Sequence, residues 1–382
     1  MVHTKYTNPD NHSYCSVIDH FPDIDELIDP VGRTWQSQLS DIVQRLCEFK
    51  KTGHQEREQA LGVYVSILST RYANSEIDSR KEEILDVCLR SLKSGRSEKE
   101  SLLAAKAIGL TIVTDPTDSV YDRVAREFKS VITDNESMAV KAASIQQLGA
   151  AAFYGGATTA ETLNIMQFFL EIVQTDGHSV GAGDEADVVT SAIEEWSFLC
   201  TQLEDAEDVT KESIDAFVDQ LESSEVLVQV AAGEAIALLY EKSYTEAEED
   251  EVDDRYEIGQ KWVQRYEPYG RVEDLKNTMV ALSSGSRKYL SKRDKKTQRS
   301  AFGDIVHSLE DPLKGPRFSE ALDTNGDVKG SRLTVRNHKN EVLKVDKWWK
   351  LVRVQHLRRL LGGGFLTHWA DNPVIFETLR YV

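Results

Sequence analysis

From Trp35 to Leu238 apolar residues return at steps of three and four, and no other feature of the chain limits its fold so tightly. Trp35, Leu39, Val43 and Leu46 set the pattern, and Leu61, Val65, Leu68 and Tyr72 repeat it. Leu103, Ala107 and Leu110 follow, then Met138, Ala142, Ile145, Leu148 and Ala152. Val189, Ile193, Trp196 and Cys200 come next, then Val228, Ala231, Ala235 and Leu238. Each set lines one face of a helix. Thr52-Gly53, Ser94-Gly95, Asp115-Pro116 and Gly155-Gly156 stand where those helices should stop. Strand signals are nearly absent before residue 330.

The stripes repeat. Val65, Ala107, Ile145, Ile193 and Ala235 mark every second helix, at spacings of 42, 38, 48 and 42 residues. Partner helices fit between them at 76–92, 118–132 and 159–173. A helix pair every 40–47 residues or so is the signature of armadillo and HEAT arrays. One pair cannot bury its own stripe, whereas five or six stacked pairs share a continuous core and present a curved surface. The expected fold class is therefore all-α: an armadillo/HEAT-like solenoid followed by a small basic module with a β-hairpin and two helices.

Charge divides the 382 residues more sharply than the net value of −19 suggests. Residues 1–284 hold 25 Lys and Arg against 53 Asp and Glu, while residues 285–382 hold 20 against 11. The expected organisation is an irregular lead-in over 1–30, an acidic helical-repeat domain over 31–284 and a basic C-terminal domain over 285–382. A basic module on an acidic body suits a polyanionic partner such as nucleic acid; the alternative is an acidic domain folded against the basic one. Residues 246–254 (EAEEDEVDD) carry seven acids in nine positions and read as a solvated loop or a site for a basic partner. Two helices are expected after it, near 256–266 and 272–282.

Several classes of function find no support. No phosphate loop, HExxH, GxSxG or GxGxxG motif is present. The nine His are dispersed, and none stands at metal-ligand spacing from another His or a Cys. The four Cys form no CxxC pair and read as reduced, inert thiols. Residues 323–327 (DTNGD) imitate the start of a calcium loop, but Val328 and Thr334 occupy its Gly and Glu positions. No stretch approaches 18 apolar residues, and residues 1–16 are polar without an apolar run, so neither a membrane span nor a secretory signal is expected. The reading is a non-enzyme with no cofactor, metal, membrane or small-molecule substrate.

The basic half has its own pattern. Residues 287–299 read RKYLSKRDKKTQR. On a helix, Lys288, Lys292, Lys295, Lys296 and Arg299 fall within an arc of about 100°. Such a face suits a phosphate backbone; a nuclear-import signal and a plain solvated face are competing readings. Leu333 and Val335 alternate with basic or polar neighbours, a turn spans 337–340, and Val342, Leu343 and Val345 follow, which predicts a hairpin. Asp346 is the expected cap of a helix running to Leu361, Gly362–Gly364 the stop, and Asn372-Pro373 the start of a last helix. Residues 346–369 concentrate Trp348, Trp349, Trp369, Lys347, Lys350, Arg353, Arg358, Arg359, His356 and His368. Cations interrupt the apolar arc of this helix, so it is either wedged between domains or laid against a large partner. Its aromatic residues either stack on bases or pack the hairpin onto the solenoid.

Two segments, SKRDKKTQRSAFGDIV at 291–306 and VDKWWKLVRVQHLRRLLGGGF at 345–365, resemble the C-terminal domain of the interferon-related developmental regulator family. That family's pattern has a basic stretch ending in QRS-x-F-x-D, an I-D-S-W helix start and LG-S-G-F/M before a last helix. Here the helix start is Val345-Asp346-Lys347-Trp348, and Gly363 replaces the Ser. The helical array is similar to the family's armadillo-like domain, so the resemblance spans about 30–382. It implies association with translationally inactive ribosomes, over the tRNA sites and with a C-terminal helix sent toward the mRNA channel. It also implies, as an alternative, a nuclear transcriptional co-regulator or interaction scaffold that binds peptides or other proteins through the solenoid.

The expected function is thus a cytoplasmic ribosome-binding protein that represses translation, with rRNA and ribosomal proteins as partners; the nucleus is the alternative compartment. The expected RNA contacts are Arg287, Lys288, Lys292, Arg293, Lys295, Lys296 and Arg299, with Lys347, Lys350, Arg353, Arg358 and Arg359 as a second set. Trp348 and Trp369 are expected stackers or anchors, and His368 is a further expected RNA contact. The glycine run at 362–364 is expected to let a mobile final helix swing into a channel.

Overall fold

The computed structural model describes residues 34–48, 53–247, 262–285, 290–322, 326 and 328–380. The lead-in at 1–30, most of the acidic run and all but Gly326 of residues 323–327 lie outside them.

Short polar side chains start several of the helices. Thr34, Ser97, Ser137 and Ser291 each accept the amide N–H three residues on. Thr158 and Glu161 satisfy each other's backbone donors in a capping box. Helices then follow in pairs: α1 (Trp35–Cys47) and α2 (His54–Thr70), α3 (Lys81–Ser94) and α4 (Glu98–Thr114), α5 (Val120–Asp134) and α6 (Met138–Tyr154). The series continues with α7 (Thr159–Gln174) and α8 (Ala186–Cys200), α9 (Glu207–Gln220) and α10 (Val226–Lys242), α11 (Val272–Ser283) and α12 (Lys292–Glu310). Even-numbered helices stack in one row, α2 on α4, α4 on α6, and so on to α10 on α12, each with its odd-numbered partner outside. This is the expected solenoid, and the centres Val65, Ala107, Ile145, Ile193 and Ala235 all fall on the inner row. Helix α12 belongs to the same stack, so the charge boundary at 284/285 falls within its last helix pair.

Helices α4, α6 and α10 are buried on nearly every side, which is what an all-round apolar helix demands. One side is covered by the neighbouring helices. The other is covered by the chain's own C-terminus: α13 (Trp348–Leu361), α14 (Phe365–Asp371) and α15 (Pro373–Arg380). Helix α13 starts at α10 and crosses α8 and α4 toward α2; α14 rests on α2 and α15 on α4. The three helices form a strap along the inner row.

The strap corrects the expected mobile tail. Gly362–Gly364 form a 3-10 turn pressed against α2, where a Cβ on Gly364 would collide with the Ser69 carbonyl. Gly364 permits a close approach rather than a swing. Trp369, Ile375 and Leu379 are buried. His368 Nε2–H donates to the Leu68 carbonyl at 2.8 Å, and Asn372 Nδ2 to that of Val113 at 2.9 Å. Those carbonyls belong to the last turns of α2 and α4, where no intrahelical donor remains. Asn372 also caps α15, accepting the Val374 amide at 3.0 Å.

Three local expectations change. Trp262–Gln264 is a strand, β2, paired antiparallel with β1 (Tyr244–Glu246), where a helix over 256–266 was expected; residues 256–261 lie outside the described residues. An additional hairpin, β3 (Phe318–Leu322) with β4 (Val328–Ser331), precedes the expected one, β5 (Thr334–Arg336) with β6 (Val342–Lys344). Asp346 does not cap α13. Its carboxylate takes Lys350 Nζ at 2.7 Å, and Glu241 of α10 accepts the Trp348 and Trp349 amides at 2.8 and 3.1 Å.

Candidate nucleic-acid interface

Helix α12 has two faces. Gln298, Phe302, Ile305 and Leu309 are buried, and Gln298 Nε2 donates to Gln229 Oε1 of α10 at 2.6 Å. Lys292, Arg293, Lys296 and Arg299 are exposed and Lys295 half-buried. None of these five makes an ion pair among the described residues; Arg299 Nη2 donates to the Ser284 carbonyl at 3.4 Å. Arg287 and Lys288 lie outside the described residues. Helix packing thus brings five of the seven expected contacts of this segment onto one solvated ridge.

The second set disperses. Lys347 lies over the Trp262 ring at 4.9 Å, and Lys350 is paired with Asp346. Arg358 is exposed beside the Phe365 ring. Arg353 is buried: Nε donates to Thr201 Oγ1 at 2.9 Å, Nη2 to the Thr201 carbonyl at 3.0 Å and Nη1 to the Thr378 carbonyl at 2.9 Å. Arg359 pairs with Glu194 and Glu195 of α8, each at 3.1 Å, and His356 Nδ1 lies 2.9 Å from Glu195. Trp348 is buried, its Nε1–H donating to Ser308 Oγ at 2.7 Å, and His368 and Trp369 are buried in the strap. As placed here, Trp348, Arg353, Arg359, His368 and Trp369 cannot reach a phosphate or a base. Of the alternatives left open by the interrupted wheel, the wedged helix is the one realised, and two of its cations, Arg353 and Arg359, answer oxygens of Thr201, Glu194 and Glu195 on the inner row.

The sequence pattern passed over the hairpin cations. Lys329, Arg332, Arg336 and Lys344 are exposed. Arg317 and Arg332 approach Asp304 of α12, near His307. The alternation in 331–345 was the available signal, since every second residue there faces away from the core.

Burial under the strap displaces several carboxyls. Desolvation raises Glu234 and Glu241 to about 7 against the opposing hydrogen bonds from Gln355 and from the α13 amides. It also raises Glu194, against Arg359, and lowers His368. A raised carboxyl keeps its proton in the folded chain after the unfolded chain has released it near 4.5. Its contribution is full below that value and is lost as pH climbs through about 7. His368 works the other way, costing stability as pH falls below 6.5. Glu234 and Glu241 set against His368 leave the protein about 1–2 kcal/mol more stable at pH 6 than at pH 8, and Glu194 acts in the same direction. Thermal melting should therefore be a few degrees higher at pH 6, and Glu234→Gln with Glu241→Gln should flatten the difference. Equal melting of the native chain at both pH values would refute it.

The fold and this ridge define a helical-repeat scaffold that carries exposed cations at one end of an otherwise acidic body. The chain belongs to the interferon-related developmental regulator family, whose sequence model matches residues 10–310, ending with the last residue of α12. An uncharacterized protein of Schizosaccharomyces pombe is 23% identical over 92% of the chain and 75% of its own length. Interferon-related developmental regulator 1 of Sus scrofa is 23% identical over 84% of the chain and 66% of its own length. Regulator 2 of Mus musculus is 25% identical over 89% and 73%. The chain thus spans two thirds to three quarters of these relatives. Among the described residues no helix is long and apolar enough to cross a membrane. Three of the residues behind the resemblance noted in the sequence are packing residues: Gln298 and Phe302 join α12 to α10, and Trp348 joins α13 to α12.

Proposed function

We propose that this protein is a non-enzymatic ribosome-binding factor that keeps ribosomes translationally inactive by lying over their tRNA and mRNA sites. The observation that carries this reading is the α12 ridge: Lys292, Arg293, Lys295, Lys296 and Arg299, without ion-pair partners among the described residues, on a chain of net charge −19. Unpaired cations clustered against the charge of their own body suit phosphate, and rRNA supplies it densely. The strap lies along the inner row of helices, so a co-regulator that grips peptides along that row is the weaker reading. An import signal within 287–299 is compatible with either role. The working compartment under this reading is the cytoplasm.

Tagged protein should comigrate with 80S particles in a sucrose gradient and be depleted from polysomes. With about five phosphates neutralised, log K against log salt should have a slope near −4, so tripling the salt weakens binding about a hundredfold. Changing Lys292, Lys295, Lys296 and Arg299 together to Gln should reduce the slope by about 3 and leave melting unchanged, because none of the four is an ion-pair partner. A flat salt response, or no comigration with 80S, would sink the proposal.

A further inference from the structure

Residues 311–317 cross from α12 to β3, and the last of them is strained. Arg317 has a φ of +52°, in the left-handed region that side chains other than Asn and Asp seldom enter. Its neighbours impose the conformation. A Cβ on Gly315 would strike the Asp346 carbonyl, and Ser308 Oγ donates to the Lys314 carbonyl at 3.0 Å. Ser331 Oγ shares its proton between the Pro316 and Val345 carbonyls, at 2.9 and 2.7 Å. The Arg332 amide donates to the Arg317 carbonyl at 3.1 Å. Glycine would take this backbone without strain, so an arginine here argues for a use of its side chain.

That last bond sets Arg332 opposite Arg317, one residue beyond the Phe318–Ser331 pair at the open end of the β3–β4 hairpin. Arg317 is half-buried and Arg332 exposed. Like charges across a strand pair repel. Arg358 of α13 adds a third guanidinium. It is exposed, with the Phe365 ring at 5.6 Å, and the charge acting on it is that of Arg317. Asp304 of α12 faces Arg317, Arg332 and His307, and His307 has Glu310 at 3.7 Å. Arginines from three elements thus gather around one carboxylate, and none of the three makes an ion pair among the described residues.

Forked guanidiniums gathered at one point fit a tetrahedral oxyanion. Their place on α12 favours the phosphate of a nucleic acid. Asp304 stands eleven residues from Arg293, which puts the two within about 20° around the helix, three turns apart. It stands five residues from Arg299, about 7.5 Å along the axis. A chain of phosphates laid on the ridge runs on into the arginines, whereas one phosphorylated side chain seated there would leave the ridge empty. We propose that Arg317, Arg332 and Arg358 together seat one phosphate of the RNA that the α12 ridge tracks. This rests on the reading of the chain as an RNA-binding protein, and adds to it the point at which the backbone is clamped.

The test uses the full chain and a fluorescein-labelled RNA duplex of 20 base pairs. Arg317→Gln, Arg332→Gln and Arg358→Gln together should weaken binding about fivefold to tenfold at 0.1 M salt and lower the salt slope by about 0.9, the step of one shared phosphate. Arg317→Gly should weaken binding without lowering the melting temperature, because strain and a like charge leave together. If Arg317→Gly melts early, Arg332→Gln with Arg358→Gln decides instead, and unchanged RNA binding by that pair overturns the seat. Native RNA binding by the triple variant, with loss only on changing the α12 cations, overturns it too and leaves the ribosome reading standing. A slope lowered by about 3 means three separate contacts and overturns the shared phosphate. Lost binding of a labelled phosphoserine peptide with RNA binding intact assigns the cluster to a phosphoprotein and overturns the proposal. Failure of the native chain to bind the duplex at all removes the parent reading as well.

Discussion

A chain ending at residue 365 should melt roughly 5–10 °C below the full-length protein. The deletion removes Trp369, Ile375 and Leu379, all buried, and partly buried Val374 and Phe376. Full burial of each large apolar side chain contributes about 2–3 kcal/mol, and the ordering entropy of two short helices offsets part of the sum. A net loss of about 5 kcal/mol is the expected remainder. In a protein of this size each kcal/mol moves the midpoint by no more than about 2 °C. The carbonyls of Leu68 and Val113 would also lose the donors His368 and Asn372, and α4 would show an apolar side to water. Calorimetry on both chains decides it. An unchanged midpoint would restore the mobile tail that the glycine run suggests.

Arg353→Met should cost about 3 kcal/mol of stability, although it replaces one long side chain by another of similar reach. The guanidinium donates to Thr201 twice and to the Thr378 carbonyl once, tying α8, α13 and α15 together between the Phe153 and Trp349 rings. Methionine fills the space but leaves buried oxygens without donors, each worth about 1–3 kcal/mol. Arg353→Lys should rescue little, because an ammonium cannot fork to two helices. Lys296→Gln is the contrasting variant: it should weaken RNA binding and leave melting unchanged. Denaturant melts and RNA titrations on the three proteins separate the roles. Weak binding by Arg353→Met at native stability would return Arg353 to the RNA contacts.

The inner row was legible because its stripes obey a 3.6-residue period and its residues need no distant partner to declare themselves. Val65 or Ile193 reads as core from its neighbours within two turns. The α12 ridge was legible for a similar reason, since its charge density is local. The strap was not. Arg353 and Lys296 are alike as letters, and what separates them is a threonine 152 residues upstream. The glycines at 362–364 promised freedom, and only the approach of Ser69 shows what Gly364 is for. Trp262 and Val263 lie in a stretch of helical spacing, yet they form a strand because Glu246 and Thr245 pair with them from the other side of the acidic segment. Phe318–Leu322 lacks clean alternation, and its end is held out in water, so its hairpin left no hydrophobic signature.

The strap also sets a clock on the protein's own birth. A repeat array ordinarily matures pair by pair, because each unit touches only its neighbours. Here the bond between His368 and Leu68 spans 300 residues, and at translation speeds of about 5–20 residues per second the second helix waits some 15–60 s for its cover. Throughout that interval the nascent array presents an apolar flank that nothing in the emerged chain can hide. The finished molecule should melt as one body for the same reason: residues of α14 close over α2.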